Sequence, residues 1–203
     1  MGKFIKIIKE MEKYKFVEFW EKFNKPIDFL LSNIQNITFG SKFNKPLCNN
    51  NLPTGLEFIN LGWYFDKKVD SLPIGLKHII FSNNFNQSVD NLSNGVKTFT
   101  FGWNFNKLVN NLPSIIQKLS FGYKFNKSID NLPSSIQKLI LGDEYNQPLQ
   151  NNLPSELKIL CFEEKSNQPI CAYLTQGLEE LYLSKHYNKS LNNLPVSVKV
   201  IRI

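Results

Sequence analysis

A twenty-residue phrase recurs along almost the whole chain, and it limits the fold more than any other feature. Its clearest copy is Phe125–Glu144, FNKSIDNLPSSIQKLILGDE. Segments of the form L-x-x-L-x-[LF] start at Tyr14, Ile34, Leu56, Leu76, Val96, Ile116, Ile136, Leu157, Leu178 and Val198. The steps between them are 20, 22, 20, 20, 20, 20, 21, 21 and 20 residues. One such unit is too small to bury its own Leu and Phe. Neighbouring units must bury them, so the chain has to stack its copies side by side.

Within a unit, each segment reads as a short strand. In Val96–Phe101, Phe99 and Phe101 alternate with Thr98 and Thr100, the period of two expected for a half-buried strand. Glycine follows at Gly40, Gly62, Gly102, Gly122 and Gly142, with Ser82 and Ser184 in the same place elsewhere. This predicts a positive φ or a close backbone approach. Then come an aromatic-Asn pair, an aliphatic residue and Leu-Pro. Proline denies that segment a backbone donor, and the few residues before the next strand leave no room for a long helix, so extended or turn-like backbone is expected there. A repeat of 20–29 residues is the period of leucine-rich solenoids. The expected fold is mainly β: a right-handed LRR-like solenoid with a single parallel sheet of about ten short strands. At about 4.8 Å per rung it would be about 45 Å long. Residues 1–13 stand apart, with Phe4, Ile7, Ile8 and Met11 at helical spacing among lysines, and read as an N-terminal capping helix. The solenoid occupies 14–203.

Asparagine forms columns. Asn24, Asn44, Asn86, Asn106, Asn126, Asn146, Asn167 and Asn188 follow the aromatic, with Asp66 in the remaining copy. A second set, Asn51, Asn91, Asn111, Asn131, Asn152 and Asn193, precedes Leu-Pro or its equivalent. A side-chain amide both donates and accepts, so a stacked column can bond loop backbone or the next amide. Unpaired buried backbone groups would otherwise cost roughly 1–3 kcal/mol each. These columns read as a structural ladder.

At this point the residues resemble a known family. FNKPI, FNKPL, FNKSI, YNQPL and YNKSL, each followed by a phrase of the form N-L-P-x-x-[IL]-x-x-L-x-F-G, are similar to the FNIP repeat. This is a leucine-rich-repeat relative of social amoebae and large amoeba-infecting viruses. The resemblance spans about residues 14–203. It implies a solenoid used for protein–protein interaction, sometimes joined to an F-box, for which residues 1–13 are too few. It brings no catalytic residues and no cofactor.

The chemistry written in the chain agrees with that. Cys48, Cys161 and Cys171 have no CxxC spacing, so neither a disulfide framework nor a zinc site is indicated. The two histidines, His78 and His186, lie five repeats apart, too far to share a metal or a catalytic dyad. No phosphate-binding loop, HExxH or GxSxG motif occurs. Glu163/Glu164 and Glu179/Glu180 read as a solvated acidic patch. No run is long and apolar enough for a membrane span, and the N-terminus is a poor secretory signal. An intracellular location, host cytoplasm for a viral protein, is expected.

Two surfaces remain as candidate sites. The outward strand positions form an open sheet face that carries Phe58, His78 and Ile80 at one end, is polar in the middle, and carries Ile140, Ile159 and Tyr182 at the other. Val200 and Arg202 fall in the same outward columns. Clustered apolar residues on a sheet suggest a protein partner. The second surface is a basic edge, Lys25, Lys45, Lys67, Lys107, Lys127 and Lys189, near Trp63, Tyr64, Trp103 and Tyr123. With a formal charge of +7, it is the alternative site, for nucleic acid or another polyanion. A fragment of a larger array is a further alternative. The chain stops at the end of a strand motif with no polar cap, which suggests self-association through that edge.

Overall fold

The computed structural model describes residues 15–203 except 29, 31, 49–50, 150–152, 171–173 and 193. The expected capping helix therefore lies outside the described residues, as do Cys171, Asn152 and Asn193.

Ten strands form one parallel sheet in chain order. They are β1 (Phe16–Glu18), β2 (Asn36–Thr38), β3 (Phe58–Asn60), β4 (His78–Ile80), β5 (Thr98–Thr100), β6 (Lys118–Ser120), β7 (Lys138–Leu141), β8 (Ile159–Phe162), β9 (Glu180–Leu183) and β10 (Lys199–Arg202). Each pairs only with its sequence neighbours, so the chain is a β-solenoid, and the described residues contain no α-helix. The strands are short because each unit must turn away after three or four residues to complete its circuit.

The core is a set of columns running through the rungs. Val17, Ile37, Ile59, Ile79, Phe99, Leu119, Leu139, Leu160 and Leu181 form one, and each is buried. Phe23, Phe43, Phe65, Phe85, Phe105, Phe125 and Tyr145 form another. Consecutive rings of this second column stand 5.9 to 6.4 Å apart and nearly parallel. Burying one such ring is worth about 1.5–3 kcal/mol, and only the adjacent rungs can bury it. Nearer the sheet, Phe19–Phe39, Phe81–Phe101 and Phe101–Phe121 are spaced at 5.1, 4.7 and 5.4 Å. The rungs thus spread with distance from the sheet, which places the sheet on the inner side of a curve.

Leu-Pro makes a turn. The N–H of Leu56 donates to Pro53 O at 3.1 Å, and the same bond recurs from Leu76 to Pro73 and from Leu157 to Pro154. Proline's missing donor is not needed there, because the segment bonds through its carbonyl. The glycines are explained mostly by crowding. A Cβ on Gly142 would lie 1.9 Å from Gly122 O. Among the glycines of the described residues, only Gly62 has a positive φ, at 72°.

The last rung departs from the periodic reading, which sets Ile201 against Leu181 and Arg202 against Tyr182. The structure instead pairs Val200 with Leu181, Ile201 with Tyr182 and Arg202 with Leu183. A slip of one residue exchanges the two faces of a strand. Val198 and Val200 then pack together against the core. Arg202 Nη1 donates to Ser184 O and Tyr187 O, both at 3.0 Å, with its guanidinium 5.7 Å over the Tyr187 ring. The outward placement of Val200 and Arg202 is corrected accordingly.

Candidate functional site

The parallel register decides which outward residues meet. Phe58 on β3 pairs with His78 on β4, and Asn60 pairs with Ile80, so Phe58, His78 and Ile80 share one patch. Ile140 on β7 pairs with Cys161, which pairs with Tyr182, while Ile159 pairs with Glu180. These form a second patch on the same face. Between the two lie β5 and β6, whose outward residues are Thr98, Thr100, Lys118 and Ser120. Three rung steps separate β4 from β7, about 14 Å at the usual strand spacing.

Polar contacts frame both patches. Lys77 and Glu57 form an ion pair at 2.8 Å beside the first, and the Lys77 ammonium holds the Glu57 carboxyl below its ordinary range. Lys158 and Glu179 pair at 3.2 Å beside the second. The Tyr182 hydroxyl donates to Glu180 Oε2 at 2.8 Å, and that bond, with burial and the nearby charge, raises the hydroxyl's pKa. The Cys161 thiol is buried 8% exposed at the centre of its row, and burial pushes it up to about 11. It is held as the neutral thiol rather than the nucleophilic thiolate.

The four glutamates do not form one patch. Glu179 and Glu180 belong to the sheet face, whereas Glu163 and Glu164 line a groove on the turn edge with His186 and Lys185. Burial, then the charge of Asp143, raises the Glu163 carboxyl. Among the described residues no three His, Cys, Asp or Glu side chains are placed to hold a metal ion.

On the turn edge the asparagine column makes one repeated bond. The backbone N–H of Asn44 donates to Asn24 Oδ1 at 3.0 Å, and that of Asp66 to Asn44 Oδ1 at 3.0 Å. Asn86, Asn106, Asn126 and Asn146 continue the series at 2.9 to 3.0 Å. Asn188 donates to Asn167 at 3.1 Å. Each side chain from Asn24 to Asn126, and Asn167, therefore accepts from the backbone one rung on, and the NH2 of each asparagine among them is left for other partners. Lys25, Lys45, Lys67, Lys107, Lys127 and Lys189 come one residue later, so they run beside this ladder. The intervening glutamines turn back into it: Gln87 Nε2 donates to Asp66 Oδ1 at 2.9 Å and Gln147 Nε2 to Asn126 Oδ1 at 3.0 Å. The basic row is thus interrupted into Lys25, Lys45 and Lys67 at one end, Lys107 and Lys127 in the middle, and Lys189 at the other end.

Among the aromatics near this edge, Trp103 and Tyr123 stack at 4.3 Å with planes 6° apart, and Lys165 lies over Tyr123. Tyr64 stands separately, with Lys42 Nζ 4.5 Å over its ring. In the sequence all of them fall near the lysines. Tyr64 differs in lining a groove with ladder amides. The signal available was the pair of small amides, Asn84 and Asn104, where neighbouring copies carry Tyr64 and Lys124.

Among curated protein sequences none matches the chain. A crystal structure of CroV588, described as a novel circular LRR protein, matches with a TM-score of 0.76 and 30% sequence identity. The match covers 99% of this chain and 38% of that one, so this chain spans well under half the length of its structural relative. The FNIP Repeat family matches residues 23–64, 85–124 and 125–165, more than half of the chain. With the stacked Phe-Asn rungs and the parallel sheet, these matches place the chain in the FNIP repeat family.

Proposed function

We propose that the chain is a non-catalytic scaffold that holds a protein partner against its open sheet face. The observation that carries this reading is that outward apolar residues gather at two places on the sheet, Phe58 near Ile80 on adjacent strands, and Ile140 and Tyr182 in one row. Phe58 meets His78 beside Ile80, and Ile140 and Tyr182 flank Cys161. Single exposed apolar residues are ordinary, but two clusters on one face are the composition of an interface core. Between them Thr98, Thr100 and Ser120 are short, and Lys118 is long but flexible, so a partner can approach both patches at once. Leucine-rich solenoids commonly present such surfaces to other proteins, which supports the reading without naming the partner. Because the sheet is on the inner side of the curve, a convex partner fits it best.

The test is affinity capture from amoebal lysate with the wild-type chain and three variants. Phe58→Asp/Ile80→Asp and Ile140→Asp/Tyr182→Asp each disable one patch, and Lys107→Glu/Lys127→Glu alters the turn edge. The reading expects proteins that are lost with either sheet-face variant and retained with the edge variant. The same partner set for all four chains would sink it.

A further inference from the structure

The turn edge carries a polar groove that the sheet-face reading does not use. Backbone bonds hold its two outer columns in register: Tyr64 N–H donates to Ser41 O, Asn84 to Trp63 O, Asn104 to Asn83 O and Lys124 to Trp103 O, all at 2.8 to 3.0 Å. Along the second column the side chains are Tyr64, Asn84, Asn104 and Lys124. The two short amides lie between two long side chains and leave a trough of about 640 Å³. Its other wall is the ladder, Asn44, Asp66, Asn86 and Asn106.

The groups in this trough have a definite chemistry. The Oδ1 atoms of Asn44, Asn86 and Asn106 are committed to ladder backbone, so these side chains offer amide donors. Asn104 Nδ2 donates to Asn84 Oδ1 at 3.3 Å. Asp66 uses Oδ1 for Asn86 N–H and Gln87 Nε2, which leaves its second oxygen as an acceptor. Planar amides beside a carboxylate suit a ligand rich in hydroxyl groups. Tyr64 is 41% exposed, and Lys42, from the rung before, covers its ring from one side. The groove opens toward the rung after, so the other ring face can take an apolar C–H surface.

The spacing selects among polymers. The Tyr64–Lys124 column, joined rung to rung by backbone bonds, repeats at about 4.8 Å, whereas the Phe43, Phe65, Phe85 and Phe105 rings beside the ladder stand 5.9 to 6.4 Å apart; one pyranose of an extended glycan has a length within that range. An extended peptide repeats its facing side chains every two residues, about 6.6 Å, longer than the spacing at either wall and far out of step with the Tyr64–Lys124 column. A phosphodiester chain would bring its charge against Asp66. We propose that this groove binds a neutral, extended oligosaccharide, with one pyranose stacked on Tyr64 and the next rings over Asn84 and Asn104. This proposal is independent of the sheet-face reading, since it uses another surface.

The test titrates the full chain to millimolar concentration with cellohexaose, chitohexaose, laminarihexaose and an oligothymidylate. Binding is followed by calorimetry and tryptophan fluorescence. Trp63 and Trp103, two of the three tryptophans, adjoin the groove and are 52% and 51% exposed. At least one of the oligosaccharides is expected to bind and change the emission. Loss of the ring in Tyr64→Ala, or in Tyr64→Leu, which keeps apolar bulk, weakens that binding about tenfold. Asn84→Ala also weakens it, and Phe58→Asp leaves it unchanged. Circular dichroism confirms that each variant keeps its sheet. Failure of all three oligosaccharides to bind overturns the proposal. So does binding that survives both the Tyr64 and Asn84 changes, or binding of the oligothymidylate alone.

Discussion

The backbone N–H of Asn106 donates to Asn86 Oδ1 at 2.9 Å across a rung boundary, and the same bond joins successive copies along the edge. Asn86→Ala leaves that N–H without its acceptor, at a cost of about 1–3 kcal/mol. Asn86→Asp keeps an acceptor, as Asp66 does for Asn86 at 3.0 Å. Hydrogen exchange is expected to show lost protection at the Asn106 amide in the alanine variant and near-native protection in the aspartate one. Equal exchange in both would mean the side chain does not hold that N–H.

Phe105 touches rings on both sides, with centroids 6.1 Å from Phe85 and 6.1 Å from Phe125, and it stacks on Phe101 at 3.8 Å. Phe105→Ala is expected to cost about 3–5 kcal/mol. Because rungs support only their neighbours, the loss of exchange protection should centre on β4 to β7 and leave β1 and β9 close to native. Uniform loss along the chain would instead show that the solenoid unfolds as one unit.

Gly142 and Gly177 make a matched pair. A Cβ at Gly142 meets Gly122 O at 1.9 Å, whereas at Gly177 nothing lies within 4 Å. Gly142→Ala should destabilise by about 1–3 kcal/mol through overpacking. Gly177→Ala should be neutral or stabilise by up to about 1 kcal/mol, by restricting the unfolded chain. Urea denaturation of the two variants checks the ordering, which a like effect from both would contradict.

Cys48 is exposed and Cys161 is buried, with its pKa pushed up to about 11. In a Cys171→Ser background, iodoacetamide at pH 8 is expected to label Cys48 first. Labelling of Cys161 should rise only as pH approaches 11 or as the chain unfolds, since the thiolate is the reactive form. The sign for stability follows. The folded pKa lies above the ordinary thiol value, so this group's contribution is fully present below the ordinary value. It is lost as pH climbs through the folded one. Labelling of Cys161 as fast as Cys48 at pH 8 would contradict its burial.

The rungs were legible because each column repeats one chemical type. Phe23 to Phe125 and Ile34 to Leu178 could be read as inward-facing from spacing alone. The last register could not, because Val198-Lys199-Val200-Ile201-Arg202 alternates in two ways, and only the contacts of Arg202 with Ser184 and Tyr187 distinguish them. The role of glycine was half visible: crowding against the preceding carbonyl depends on how closely rungs approach, which a one-dimensional period does not contain. The groove at Tyr64 was hidden for a related reason. Spacing put Tyr64 among aromatics and lysines, but which of its ring faces is covered depends on where Lys42 lies.

The spreading of the rungs also bears on where this sequence can change length. Hydrogen bonds fix the separation of strands at the sheet, so an added residue there would break the ladder on both sides. On the far perimeter the units diverge and have slack. The 22-residue step has its two additional residues between Leu47 and Leu52 of the sequence, a stretch flanked by Cys48 and Asn51, where Asn51 Oδ1 accepts from Cys48 N–H at 2.9 Å. The Phe43 and Phe65 rings on either side of it remain 5.9 Å apart, no farther than in the regular copies. Insertions and deletions in such a chain should therefore accumulate on the outer rim, while the inner face keeps its register.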